Sequence, residues 1–284
     1  MIPSIICSLL IFYHFARFPQ IRKKLNNHVI LILLLVNFIQ VVIDMPLTLI
    51  VLHTGFVFIQ TDVFCKFWLV YNYAVCVSGL TLMAYGCIER YFLIFYHGFF
   101  KKHLILLHYG PILFFLIYPP LLYIGLIVIY PCESYFDYTL FTCGGSCYQY
   151  EVALGLFDWF CNIFTPIIIS IIATIILIIR VLLQKRRVGQ RAIWQRNRKM
   201  VLQLASVSLM YIIVWIPIIV GFVIPPIIPN AFILQLSSAV FIYFEYISFL
   251  FCPFMCLTGL PEIRQSIKNI FIRNNIIQPT IQIK

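Results

Sequence analysis

Charge is what this chain has least of. Nine of its 284 residues are Asp or Glu, and charged residues of both signs make up 10%, against about a quarter in an ordinary soluble domain. So few charges cannot cover the two water-soluble domains that the length would permit. Asn-x-Ser/Thr glycosylation sequons are missing as well. Residues 131–151 contain no Lys or Arg, and no internal repeat divides the chain. Disorder is excluded from the other side, because 27 Phe and 17 Tyr would collapse an open coil.

What is present is apolar surface: 63% of residues are hydrophobic and the mean hydropathy is +1.01. A bilayer core is about 30 Å thick, so a crossing helix needs about 20 apolar residues. Six stretches meet that length, at about 29–52, 66–88, 104–130, 152–179, 200–224 and 232–257. A seventh, Ile2 to Ala16, is apolar but reaches only about 23 Å as a helix. It lacks the basic start and small-residue cleavage site of a signal peptide. It reads as the inner part of a first span whose outer end is short or lies upstream. Transmembrane barrels are excluded, since their strands alternate apolar and polar residues. The expected fold is all-α, a seven-helix transmembrane bundle over residues 1–258.

The basic residues orient that bundle. Of the 20 Lys and Arg, 19 fall on alternate loops: the loop after span 1, the 3–4 loop with Arg90, the stretch from Arg180 to Lys199, and the C-terminal tail. Lys66 alone lies on the other set, where Glu133, Asp137 and Glu151 stand. This predicts an N-terminus outside and a C-terminus in the cytoplasm. The run Lys185-Arg186-Arg187 then anchors to anionic lipid, not to nucleic acid.

Four of the ten cysteines fall on the outer side: Cys65, Cys132, Cys143 and Cys147. The outside is oxidising, so disulfides are expected there, and four cysteines allow three pairings. The favoured one joins Cys65 to Cys147 and Cys132 to Cys143, with Cys143 as the alternative partner of Cys65. Cys143-Gly-Gly-Ser-Cys147 has no companion His, so no metal is expected.

Glu89-Arg90-Tyr91 closes the inner end of span 3. An acid–base pair at membrane depth is costly, which points to function beyond a snorkelling arginine. Cys65 lies about 37 Å away along a helix, at the opposite membrane face. Span 6 contains Tyr211-Ile-Ile-Val-Trp215-Ile-Pro217, where proline kinks the helix beside a large indole. Pro166 and Pro253 place similar kinks in spans 5 and 7.

In these motifs the chain resembles a rhodopsin-like (class A) G protein-coupled receptor, over nearly its whole length. Glu89, Arg90 and Tyr91 match the family's acidic–Arg–Tyr motif, and Cys65 has its usual spacing from the arginine. Trp215-Ile216-Pro217 resembles the span 6 switch, with Tyr211 one turn earlier where Phe is usual. Pro253 matches the span 7 proline. Residues 260–272 within the tail (259–284) resemble the family's short amphipathic eighth helix. The resemblance implies a receptor for an extracellular small molecule or peptide, with a heterotrimeric G protein as partner and no cofactor.

Several positions depart from the family. Asn37 replaces the span 2 aspartate, and Cys252-Pro253-Phe254-Met255-Cys256 lacks the span 7 Asn and Tyr. Thr174 replaces the span 5 tyrosine, Pro119 and Pro120 stand in span 4 without its tryptophan, and Asn197 replaces an acidic partner of Arg90. These changes put sodium modulation and a tyrosine water relay in doubt, and they predict some ligand-independent signalling. Asn72 stands at the amine-receptor aspartate position and Tyr246 at the opsin lysine position.

The ligand pocket is expected among Asp44, Asn72, Asp158, Trp215, Glu245 and Tyr246 in the outer half of the bundle. Its three carboxylates favour a cationic ligand or basic peptide. The alternative class is a seven-span transporter or channel, but broken helices in matching halves and filter motifs are missing. No His/Asp/Glu grouping has catalytic logic, so an enzyme is not expected. His14, His28, His97, His103 and His108 are read as hydrated groups near the inner face.

Overall fold

The computed structural model describes residues 1–186, 205–221, 232, 235–236 and 240–258. Their regular structure is helical, with no strand among the described residues. Seven apolar helices follow one another: α1 (Ile2–Arg17), α2 (Asn27–Thr54), α3 (Asp62–Phe95), α4 (Ile105–Ile129), α5 (Val152–Leu183), α6 (Ala205–Gly221) and α7 (Phe241–Leu257). Helices α2 to α5 have 25 residues or more and are apolar enough to cross a bilayer, which marks a multi-pass membrane protein. Helices α1, α6 and α7 are shorter in their described parts. The expected eighth helix, Asn197 and the part of the basic stretch from Arg187 to Lys199 lie outside the described residues.

Helix α3 is the central post, packing against α2, α4 and α5, while α1 and α7 pack on each other and on α2. Thr61 caps its start, accepting a hydrogen bond from the Phe64 amide at 3.4 Å. From Cys76 to Cys87 every residue of α3 is buried. Five of these twelve are Gly, Ala, Ser or Thr, small side chains that let neighbouring helices come close. At Gly79 an added Cβ would lie 3.8 Å from the Tyr211 hydroxyl and 3.8 Å from Val36. The outward faces of α4 and α5 instead expose Leu113, Phe114, Ile172 and Ile175, as lipid-facing surfaces do.

Three helices widen into π-helical turns, at Gln40–Asp44, Ile105–Tyr109, Gly125–Ile129 and Asp158–Phe164. Each ends two residues before a proline: Pro46, Pro111, Pro131 and Pro166. Proline lacks an amide hydrogen and its ring crowds the carbonyl four residues back, so the preceding turn opens. The carbonyl displaced by Pro111 is that of Leu107, and the Tyr85 hydroxyl of α3 donates to it. Asp44 and Asp158 sit on two of these widened turns, a placement common at functional sites.

The 4–5 connection folds over the end of the bundle where α3 begins. Cys65 pairs with Cys143 and Cys132 with Cys147, in place of the favoured pairing of Cys65 with Cys147. Local backbone geometry decides this. Asp137 N–H donates to the Cys143 carbonyl at 3.0 Å, closing a tight turn. Thr142, Cys143, Gly144 and Gly145 all have positive φ, a left-handed run that sets Cys143 on the head of α3. Cys147 starts a 3-10 turn capped by Ser146 and Gln149, and its amide binds Ser134 Oγ at 3.2 Å, two residues from Cys132. In the same loop the Thr139 hydroxyl and amide hold the Asp137 carboxyl below its ordinary range.

Candidate functional site

A cavity of about 760 Å³ opens between the helices beneath this loop. Asn72, Tyr73, Cys76 and Val77 of α3 form one wall, with Tyr123 of α4 and Asp158 and Trp159 of α5 beside them. Trp215 and Ile218 of α6 and Tyr243 and Glu245 of α7 form the other wall, while Thr139–Thr142, Gly144 and Gly145 cover it. The size and mixed lining suit a compact ligand. Four of the six expected pocket residues line it: Asn72, Asp158, Trp215 and Glu245. Asp44 and Tyr246 lie behind the wall.

Asp158 touches the cavity but is fully engaged. Tyr123 and Tyr148 donate their hydroxyls to its two oxygens at 2.7 and 2.8 Å, and Asn162 Nδ2 donates at 2.8 Å. It therefore ties α4, α5 and the covering loop together. Asp44 is held alike: Trp68 Nε1 donates at 2.6 Å, Gln40 Nε2 at 3.2 Å, and the Tyr246 hydroxyl donates as well. Thr48 Oγ1 lies 2.6 Å from the Tyr246 hydroxyl and extends the tie from α2 to α7. Both carboxylates are buried yet supplied with donors, as a charge in low dielectric requires.

Glu245 differs. Its Oε2 accepts a long hydrogen bond from Cys76 Sγ at 3.5 Å, while its Oε1 has no partner among the described residues. Trp215 Nε1 is likewise without a partner there, and Asn72 Nδ2, near both the Asp44 and Glu245 carboxyls, makes no close hydrogen bond. All three residues are at least nine-tenths buried and border the cavity. Buried polar atoms are satisfied in the great majority of cases. One acceptor and two donors left open around one cavity form a polar set that a bound molecule can complete.

The opposite end of the bundle holds Glu89-Arg90-Tyr91. Arg90 is 1% exposed, and Glu89 supplies the nearest negative field at its guanidinium. Glu89 also bonds to His108 Nδ1 of α4. The Arg180 guanidinium of α5 lies 6.0 Å from the ring centres of Tyr91 and Phe95, within cation–π range.

Between the two ends, the Tyr211 hydroxyl of α6 donates to Asn37 Oδ1 of α2 at 2.8 Å. Thr174 Oγ1 lies 2.9 Å from Ser208 Oγ, joining α5 to α6. The two departures at Asn37 and Thr174 thus make ties of their own. Pro217 and Pro253 sit inside α6 and α7 as expected.

Sequence reasoning missed the donors around Asp44 and Asp158, because Trp68, Tyr123 and Tyr148 read as ordinary aromatics. It also misread two histidines: His14 and His108 are 2% and 0% exposed, not hydrated. A usable signal existed for His108, since His28, Glu89 and His108 stand at the same end of spans 2, 3 and 4.

The chain has the fold of a rhodopsin-like seven-helix receptor. Among solved structures it is similar to squid rhodopsin, with a TM-score of 0.73 and 16% identity, over 94% of this chain and 81% of that one. At that identity the likeness establishes the fold. No protein-family model matches the sequence, and no characterised protein matches it by sequence search.

Proposed function

We propose that the protein is a G protein-coupled receptor of the plasma membrane, binding an extracellular small molecule or peptide in the cavity beneath the disulfide-bonded loop. The observation that carries this reading is the open polar set of Glu245, Asn72 and Trp215 around a covered cavity. A ligand bearing a protonated amine complements it, since the ammonium donates to Glu245 Oε1 while acceptors meet Asn72 and Trp215. Asp44 and Tyr246 support that wall from behind, and Asp158 shapes it.

The distribution of basic residues supports an outside N-terminus and a cytoplasmic C-terminus. Arg90 and the stretch from Lys185 to Lys199 then face a heterotrimeric G protein. Ligand in contact with Trp215 biases α6 between two packings about Pro217, shifting a pre-existing equilibrium. Glu89, Tyr91, Tyr211 and Pro253 belong to the same switch.

The test is nucleotide exchange on a promiscuous G protein in cells expressing the chain, challenged with an amine and peptide library. Arg90→Ala is expected to keep ligand binding and lose exchange. Full exchange by that variant refutes the role of Arg90, and ligand-evoked current or uptake without exchange refutes the receptor reading.

A further inference from the structure

The 4–5 loop presents a row of side chains that the cavity does not use. Residues 132–137 form neither helix nor turn, and their exposure alternates along the chain. Glu133, Tyr135 and Asp137 are exposed, while Cys132, Ser134 and Phe136 are turned partly inward. A period of two is that of an extended strand, so the three exposed side chains share one face, about 7 Å apart. Several contacts hold this presentation. Cys132 is bonded to Cys147, and Ser134 Oγ accepts from the Cys147 amide at 3.2 Å. Phe136 packs against the buried clusters around Leu69 and Trp68. The Asp137 amide donates to the Cys143 carbonyl at 3.0 Å.

Four tyrosines lie between Cys132 and Glu151, and their surroundings differ. Tyr148 is buried, its hydroxyl donating to Asp158 at 2.8 Å. Tyr138 is half-buried and donates to Asp62 at 2.7 Å. Tyr150 is 81% exposed but has a neighbouring acid on one side only, Glu151. Tyr135 is 89% exposed and has an acid two residues away on each side, both on its own face. Its hydroxyl makes one long contact, 3.5 Å to Glu133 Oε2. Thr139 donates to Asp137 through its amide and its hydroxyl, which keeps that carboxyl ionised. With no Lys or Arg from 131 to 151, nothing in the loop neutralises the row.

We propose that Tyr135 is a site of tyrosine O-sulfation, modified in the secretory lumen before the protein reaches the cell surface. The phenolic oxygen attacks the sulfur of an activated sulfate, a mixed anhydride of sulfate with a nucleotide phosphate. The bond from sulfur to the bridging phosphate oxygen breaks and the nucleotide leaves with its electron pair. The phenolic proton passes to a base of the transferring enzyme. An enzyme that binds so anionic a donor carries cationic groups, and acids beside the acceptor on the same face give those groups partners. An exposed, extended segment also enters a cleft without local unfolding, whereas Tyr138 and Tyr148 must first give up their hydrogen bonds. The sulfate ester is ionised throughout the physiological pH range, so the row becomes three anions on one face, which favours the approach of a basic ligand. The proposal rests on the outward placement of this loop in the reading above, and not on any ligand in the cavity.

The test is metabolic labelling of the full chain with radioactive sulfate in cultured animal cells, with the loop peptide mapped by mass spectrometry. Wild type is expected to carry sulfate on Tyr135, in a form that alkaline phosphatase does not remove. Chlorate, which blocks sulfate activation, is expected to abolish it. Tyr135→Phe is expected to lose the label. Glu133→Gln keeps the acceptor and is expected to lower incorporation about threefold, the worth of one exposed ion pair. Should Tyr135→Phe fail to reach the surface, the mapped wild-type peptide decides the site by itself. An impermeant amine reagent on intact cells reports which end of the bundle lies outside. Lys66 stands beside Cys65 at the loop end, while Lys101 and Lys102 are exposed at the other. Labelled Lys66 with unmodified Tyr135 overturns the proposal and leaves the receptor reading standing. Labelled Lys101 and Lys102 with no sulfate overturn the outward placement together with the proposal. Sulfate on Tyr150 alone, or phosphate on Tyr135, also overturns it.

Discussion

On α2 and α5 the carboxylates of Asp44 and Asp158 each receive three side-chain hydrogen bonds, two of them from other elements. On α7 the carboxylate of Glu245 receives one long bond from a thiol, and one of its oxygens receives none among the described residues. All three are buried in the same half of one bundle. The difference separates structure from binding. A buried anion whose donors come from the fold has no capacity left for a ligand cation, while one short of donors lowers its free energy when a cation arrives.

That contrast can be broken most forcefully at Asp158. Replacing it with alanine leaves the Tyr123 and Tyr148 hydroxyls buried without an acceptor. The expected destabilisation is about 3 kcal/mol or more, read as a fall in melting temperature with or without ligand. A stable Asp158→Ala protein that has lost only ligand affinity would reverse the roles given to Asp158 and Glu245.

Glu245→Gln should behave in the opposite way. Its melting temperature without ligand is expected to stay level or rise, since an incompletely solvated charge is removed. Affinity for an amine agonist should fall about tenfold or more, the worth of a charge-assisted hydrogen bond. Unchanged affinity would move the anchor elsewhere in the cavity.

The smallest effect sharpens the comparison without touching either carboxylate. Tyr211→Phe removes the bond to Asn37 and is expected to cost about 1 kcal/mol of stability. Because that bond ties α6 to α2, basal nucleotide exchange should rise as the melting temperature falls. A drop in stability with no change in basal exchange would make the tie merely structural.

Much of this architecture was legible from the chain because a bilayer imposes a coarse rule. Each crossing needs about 20 apolar residues, with backbone polar groups satisfied within the helix, so seven helices and their approximate bounds follow. The prolines carried finer information, since Pro46, Pro111, Pro131 and Pro166 each follow a π-helical turn. Pocket residues were less legible. Asn72, Asp158, Trp215 and Glu245 reach the cavity, while Asp44 and Tyr246 form a layer behind it. Helical spacing says which turn a residue occupies; side chains from other helices decide whether it is already partnered.

The disulfides show the same division. Four outer cysteines followed from the topology, but the partner of Cys65 depended on a left-handed turn at residues 142–145. Two of its four residues, Thr142 and Cys143, are not glycine, so local propensity does not announce the turn.

By itself, then, the amino-acid sequence determined the helical bundle, its orienting bias of charge and the residues at its two ends, because those depend on local composition and a period along one chain. Only tertiary structure decided which buried acid is open, which cysteines pair, and that His108 meets Glu89. Each of those outcomes depends on groups far apart in sequence arriving within about 3 Å, the range over which hydrogen bonds form.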